Sequence, residues 1–477
     1  MSVSRRTALT GLAATGALAG SAAFAGDQNG DAQKHRDLTS NGKFNAPMEP
    51  PRPLEFDGLL LNQERAHNIL DAEKVDLLIC SKAPNYYYLT GHTAAAQMLG
   101  YDSGIDYATL SAHGNGKPTM ITSQIGLYFQ GTAQSQLDLM NVEIVGFPAD
   151  FEEFASLTDP ADIANAPGAP FLTRRHDLAL ESESERYRHA LVARQSDEIR
   201  ASIEAALLKQ VLDNPLPNKT IAIDDLRIKE LLQRSGMDVR FVDGERIVRK
   251  IRIQKTPQEI ALMRYAASNN ATASRAAAMS VRDGASYDDL RREFWKECAD
   301  RDMTGHYMMV DTLMTRVANG DIEKGRTFLI DCVSTFRGYH GDYGRTVCVG
   351  EPNRKMAAII DALSLTWNRL LEDLKPGMRF SQIIERGKAL YADTNIDVAF
   401  NVNPHTIGLH HSDDENVAGF GSYMKADIEL EENMILSVDM PLLDSGLGGT
   451  AHLEDLVLIT KDGPELINDS SDRFIVV

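Results

Sequence analysis

The sequence predicts an α/β protein of two domains, and three observations carry that prediction. At 477 residues the chain is longer than one ordinary hydrophobic core organises, so two folded units are the natural partition. In the first half, short apolar runs alternate with stretches of helical spacing. Near Lys255 a strongly marked helix start opens a second half in which helices alternate with paired strands.

Taken in order, the first 25 residues stand apart. Ser4-Arg5-Arg6 precedes the weakly apolar run ALTGLAATGALAGSAAFA, which ends in the small-residue pattern Ala23-Phe24-Ala25. These are the charged region, apolar region and cleavage site of an export signal (1–25), and the twin arginine points to the bacterial route that carries folded proteins. A periplasmic or secreted mature protein beginning after Ala25 is expected. Residues 26–55 are polar and Pro-rich and read as an arm or linker. A first domain is expected over 56–250. There LNQERAHNILDAEK has helical spacing, VDLLICS and KPTMITS read as strands, and a long helical pattern runs through ESERYRHALVARQSDEIRASIEAALLKQVL. KTIAIDD then reads as a strand and DLRIKELLQRSG as a helix closed by Gly236. The second domain covers 255–477. It opens on TPQEIALMRYAASNN with Thr256 as N-cap, Pro257 at the first helical position and Glu259 completing a capping box.

Composition narrows the function. A formal charge of −19 argues against nucleic acid and against anionic membrane surfaces as partners. No internal run is long and apolar enough to cross a bilayer. Cys80, Cys298, Cys332 and Cys348 lack metal-like spacing and read as buried apolar residues, in keeping with export that needs no disulfides.

The chemistry gathers in the second half. In FLIDCVSTFRGYHGDYGRTVCVG, Asp331 and Asp342 stand eleven residues apart in segments that otherwise read as buried strands, with a turn at Gly338 and Gly341 between them. A buried ionised carboxylate costs several kcal/mol unless it is paired, hydrogen-bonded or bound to a metal, so two on adjacent strands suggest a shared cation. One partly exposed Asp and one turn Asp is the alternative. NPHTIGLHHSDDEN adds His405, His410 and His411; NMILSVDMPLL buries Asp439; AHLEDLVLIT buries Glu454. Each is weak alone, but Asp331, Asp342, His405, Asp439 and Glu454 together suit a divalent Mn, Fe, Co or Zn ion. This many carboxylates can hold a pair of ions roughly 3.5–4 Å apart.

That ordered set resembles the pita-bread metallohydrolases, the group of aminopeptidase P, prolidase, methionine aminopeptidase and creatinase. NYYYLTGH (Asn85 to His92) and KTPQEIALMRYA (Lys255 to Ala266) resemble the branch with a creatinase-like N-terminal domain, there a Tyr-Leu-Thr-Gly strand end and the helix that opens the catalytic domain. The resemblance implies a creatinase-like α/β domain followed by a pita-bread domain, a homodimer, and two divalent ions, or one. Asp331, Asp342, His405, Asp439 and Glu454 would be ligands, Glu454 bridging both ions. It implies a metal-activated water that hydrolyses a peptide or amide bond in a small, Xaa-Pro-like peptide. Asp439 or Glu454 would take the water proton, and His411 or His410 would stabilise the oxyanion or protonate the leaving amine. The chain departs from the family where Asp439 replaces a glutamate, where Asn401 and Ser412 replace histidines, and where His452 replaces an arginine. The histidine usually found upstream of the first Asp has no clear counterpart, the nearest segment reading TLMTRVANGD. Two other readings stay open. One is a small-molecule enzyme, a creatinase-like C–N hydrolase or a dimethylsulfoniopropionate-type lyase, holding a zwitterion against Tyr86, Tyr87 and Tyr88. The other is a non-catalytic binding descendant.

Overall fold

The computed structural model describes residues 59–113, 116–130, 137–170, 182–183, 185–186, 199–311, 321–417, 420, 424–443, 446–468 and 472–477. The expected export signal, the arm, and the TLMTRVANG segment lie outside the described residues. So does most of the long helical pattern expected before residue 213.

The first half is built on a seven-stranded sheet. Its strands in chain order are β1 (Leu77–Cys80), β2 (Tyr107–Ser111), β3 (Thr119–Ser123), β4 (Asn141–Val145), β5 (Ile199–Arg200), β6 (Thr220–Ile223) and β7 (Arg240–Asp243), arranged β5-β4-β3-β2-β1-β6-β7. Only the β1–β2 and β2–β3 pairs are antiparallel. The inner strands β1 and β6 are buried along their whole length, as strands covered on both faces must be. The expected single helix through residue 212 is broken at its C-terminal end. Ile199 and Arg200 pair with β4, and Ser202, accepting from the Ala205 amide, caps a separate helix over Ile203–Asp213.

NYYYLTGH is a helix rather than a strand end. Pro84 sits at its first turn, and Gly91 closes it in the left-handed conformation at φ 71°, which only glycine adopts without strain. The helix is enclosed on nearly every side, so Tyr86 and Tyr88 both lie fully in the core, where Tyr88 Oη accepts from the Asn62 amide at 3.1 Å. Neither ring is a surface on which a cationic group could rest.

The second half opens as expected. A helix over Pro257–Met279 starts with the capping box of Thr256 and Glu259, and a second helix covers Tyr287–Ala299. Both pack on one face of a four-stranded sheet made of β8 (Thr304–Val310), β9 (Thr327–Phe336), β10 (Tyr339–Cys348) and β15 (Phe474–Val476). Ile330, Cys332 and Val347 fill that face together with Tyr265, Phe294 and Cys298. A second four-stranded sheet joins β11 (Asn403–Thr406), β12 (Ile435–Asp439), β13 (Leu456–Thr460) and β14 (Gly463–Leu466). Helices Arg354–Asp373 and Phe380–Ala392 cover its outer face through Trp367, Leu436, Val438 and Val457. The two sheets meet where Gly344 and Glu454 exchange backbone hydrogen bonds. The four cysteines are buried and free.

Candidate metal centre

Register brings the acidic residues together. β9 and β10 are joined by the two-residue turn Arg337-Gly338, both at positive φ (49° and 82°), the backbone a tight hairpin requires. Gly341 is not part of that turn. It lies within β10, where a Cβ would overlap the Ala266 carbonyl oxygen of the long helix. With Phe336 opposite Tyr339, Asp331 falls opposite Gly344 and Asp342 opposite Val333. Side chains alternate along a strand, so Asp331 and Asp342 lie on one face, diagonal to each other. The eleven-residue spacing is therefore a consequence of hairpin register. In the second sheet His405 pairs with Ser437 and Asn403 with Asp439, which places His405, Ser437 and Asp439 on one face. Glu454 arrives on the segment that bridges to Gly344. Arg345, itself fully buried, holds that segment by donating to the Glu454 carbonyl at 2.7 Å and to the Asp455 carboxylate at 2.6 Å.

The five expected ligand residues converge. His405 Nε2 lies 3.7 Å from Asp342 Oδ2, 3.5 Å from Asp439 Oδ1 and 3.9 Å from Glu454 Oε1. Three sets of side chains each offer ligand atoms within 4.8 Å of one another: Asp342, His405 and His411; His405, Asp439 and Glu454; Asp331, His452 and Glu454. Glu454 belongs to two of them. Asp331 Oδ1, Asp342 Oδ1, His405 Nε2 and Asp439 Oδ1 are buried atoms without a hydrogen-bond partner, where such groups are nearly always satisfied.

Electrostatics tell the same story. Burial, with the charges of Asp342 and Asp439, pushes the Asp331 carboxyl well up. Burial, with the same two neighbours, does so for Glu454. Burial opposes a charge on His405, yet Asp439 and Asp342 hold its imidazole up to about 9. Asp439 moves down against its burial because of its neighbour Glu454 and the positive imidazole of His405 beside it. So many carboxylates cannot all ionise together without a cation. Oxygen and imidazole donors with orphaned atoms in a shared space fit divalent metal.

Around this cluster stands a wall of rings. His411 Nε2 lies 2.9 Å from Asp342 Oδ2 and 3.1 Å from Tyr307 Oη. Its side chain is 35% exposed, so it stands at the mouth of the site. His340 packs against both His411 and His306. His410 turns elsewhere: its Nδ1 meets Arg252 and lies 3.5 Å from Asp413, outside the acidic cluster. Ser412 likewise bonds Asp414, at 3.2 Å. Tyr307, His306 and His340 had no place in the sequence reading. A register shift between Gly305 and Tyr307 makes His306 an extra residue in β8, and bulges of that kind re-aim side chains. The HY dipeptide within TGHYMMV was the available signal, and alternation alone could not place it.

Two sheets, each backed by a pair of helices, with an acid-lined centre between them, define a protein of the pita-bread class. Residues 261–461 match the model of Metallopeptidase family M24. The chain is 25% identical over 155 residues to the Xaa-Pro dipeptidase of Pyrococcus horikoshii, covering 32% of this chain and 42% of that protein. It is 28% identical over 160 residues to the probable dipeptidase PepE of Mycobacterium tuberculosis, covering 33% and 41%. The matched stretch thus spans about two fifths of these relatives' own length. The solved Xaa-Pro dipeptidase from Bacillus anthracis superposes with a TM-score of 0.60 at 17% identity, covering 87% of this chain and 98% of that one. That likeness is one of fold.

Proposed function

We propose that the protein is a metal-dependent peptidase that hydrolyses short peptides of the Xaa-Pro kind. The observation that carries this reading is the convergence of Asp331, Asp342, His405, Asp439 and Glu454 with four of their donor atoms unsatisfied. These five would hold two divalent ions, of Mn, Fe, Co or Zn type, with Glu454 offering an oxygen to each. Ions bound there would acidify a water and polarise the scissile carbonyl.

The chain's own groups supply the rest. Glu454 receives a hydrogen bond from Ser437 Oγ at 2.5 Å on one oxygen and faces His452 Nε2 at 3.2 Å on the other, so its carboxyl is fixed in place. His411, oriented by Tyr307 and open to solvent, is the group that would hand a proton to a leaving amine. Peptide substrates are supported by the Xaa-Pro dipeptidase and dipeptidase names of the relatives. The zwitterion reading loses two of its three rings with the burial of Tyr86 and Tyr88, while Tyr87 is partly buried against the core.

Elemental analysis of the purified chain tests the proposal, together with hydrolysis of Xaa-Pro dipeptides before and after chelation. One or two transition-metal ions per chain and chelator-sensitive hydrolysis are expected. Asp331→Ala or Asp342→Ala should abolish metal retention while Ser412→Ala leaves it intact. A chain that takes up no ion when supplied with Mn, Fe, Co or Zn would overturn the reading.

A further inference from the structure

His452 takes no part in the five-residue set, yet it is placed as though it did. It is 2% exposed, and its backbone is pinned on both sides by Thr346, whose Oγ1 accepts from the His452 amide at 2.9 Å and donates to the His452 carbonyl at 3.1 Å. His452 and Glu454 are two residues apart on an extended segment, so both face the space between the sheets. The ring lies over Gly344: a Cβ at that position would overlap its Cδ2 and Nε2. Gly344 is the residue opposite Asp331 across the hairpin. The missing side chain of residue 344 is therefore what admits an imidazole beside Asp331. Asp331, His452 and Glu454 then offer ligand atoms within 4.8 Å of one another, and Asp331 Oδ1 has no other partner.

We propose that His452 is a sixth metal ligand, binding through its imidazole the ion held by Asp331 and Glu454. The proposal rests on the reading of this cluster as a two-ion centre. With His405 serving one ion and His452 the other, each ion has a nitrogen donor among carboxylates. That donor set favours borderline ions such as Co(II) or Zn(II) over Mn(II) at both positions.

The alternative role for His452 is to hydrogen-bond Glu454 alone, and His452→Gln separates the two. A glutamine amide still donates to the Glu454 carboxylate but lacks the imidazole lone pair. Metal-stripped full-length wild type and His452→Gln are titrated with Co(II), followed by equilibrium dialysis and metal analysis. Wild type should bind two Co(II) per chain. In the variant one of the two should weaken by more than about 100-fold, beyond the roughly 10–100-fold cost of losing an outer hydrogen-bonding partner. Equal binding of both ions by the two proteins would overturn the proposal and leave the metal reading standing. Wild type that binds no Co(II) would overturn both.

A second measurement does not depend on the folding of that variant. In Co(II)-loaded protein carrying His411→Asn, which removes the remaining imidazole with a nitrogen within reach of the acids, proton NMR counts the paramagnetically shifted imidazole N–H resonances. Two are expected, from His405 and His452. One alone would sink the assignment.

Discussion

Asp439, proposed as a ligand and one methylene shorter than glutamate, is held in a definite orientation. Its Oδ1 lies 3.5 Å from His405 Nε2 with no hydrogen-bond partner, while Oδ2 accepts from Asn403 Nδ2 at 3.1 Å. One oxygen is thus committed to orienting the carboxylate and the other is left facing the cluster. Asn403 is the residue opposite Asp439 in the ladder, so strand pairing supplies the orientation. A glutamate here would push an extra methylene into a space where ligand distances are tolerated within about ±0.2 Å. Asp439→Glu is therefore expected to weaken metal binding and lower turnover, with Asp439→Ala worse. Metal stoichiometry of wild type and the Glu variant, measured side by side, decides the point. A rise from one ion to two on going to Glu would show that Asp439 is a lost ligand rather than a rebuilt one.

At the level of elements, the segment from Thr406 to Asp414 is what presents His411, and a buried charge network holds it. Arg252, the last residue of the helix over Gly244–Arg252, donates to Asp413 Oδ1 from Nε at 2.9 Å and from Nη2 at 2.6 Å, and to Asn85 Oδ1 from Nη1 at 2.5 Å. Lys255 Nζ lies 3.5 Å from the other Asp413 oxygen. Arg252 and Asp413 side chains are wholly buried, and a Cβ at Gly408 would overlap both Asp413 and Lys255. Asn85 in turn donates to Asp224 and Glu245, each at 2.8 Å, so the network reaches the end of the seven-stranded sheet. Removing one partner of a fully buried pair strands the other charge. Arg252→Met should cost about 3–5 kcal/mol of stability, and the double variant Arg252→Met with Asp413→Leu should recover much of it. Denaturant unfolding of the two single variants and the double variant measures this. Additive losses would mean that Arg252 and Asp413 are not energetically coupled.

Stability of the whole molecule should carry the signature of Glu259. It is 1% exposed, accepts from the Thr256 amide at 2.8 Å and from Tyr339 Oη at 3.0 Å, and ties the start of the second half to the hairpin. Burial pushes its carboxyl up to about 7 from 4.5, against the charge of Lys255. Between those values the folded chain holds a proton that the unfolded chain has released. The contribution of Glu259 to unfolding free energy therefore falls as pH rises through that window and stays low above it, by up to about 3 kcal/mol. Glu259→Gln removes this dependence, so the variant should gain stability relative to wild type on moving from pH 5 to pH 8. Parallel denaturation profiles at the two pH values would refute it.

The sequence alone determined the helix start at Thr256, the hairpin that carries Asp331 and Asp342, and the ordered set of four acids and one histidine, because these follow from local spacing, capping and side-chain alternation. Its reading of the first 25 residues as an export signal rests on the sequence only. Tertiary structure decided what depends on register between distant strands. The bulge at His306 brought Tyr307 to His411, the Arg252–Asp413 network turned His410 away from the acids, and Gly344 opened the place that His452 fills. Packing around several sides of the helix over Ala83–Thr90 buried Tyr86 and Tyr88. None of these is encoded within one segment, since each depends on what an opposing segment, tens to hundreds of residues away, places across from it.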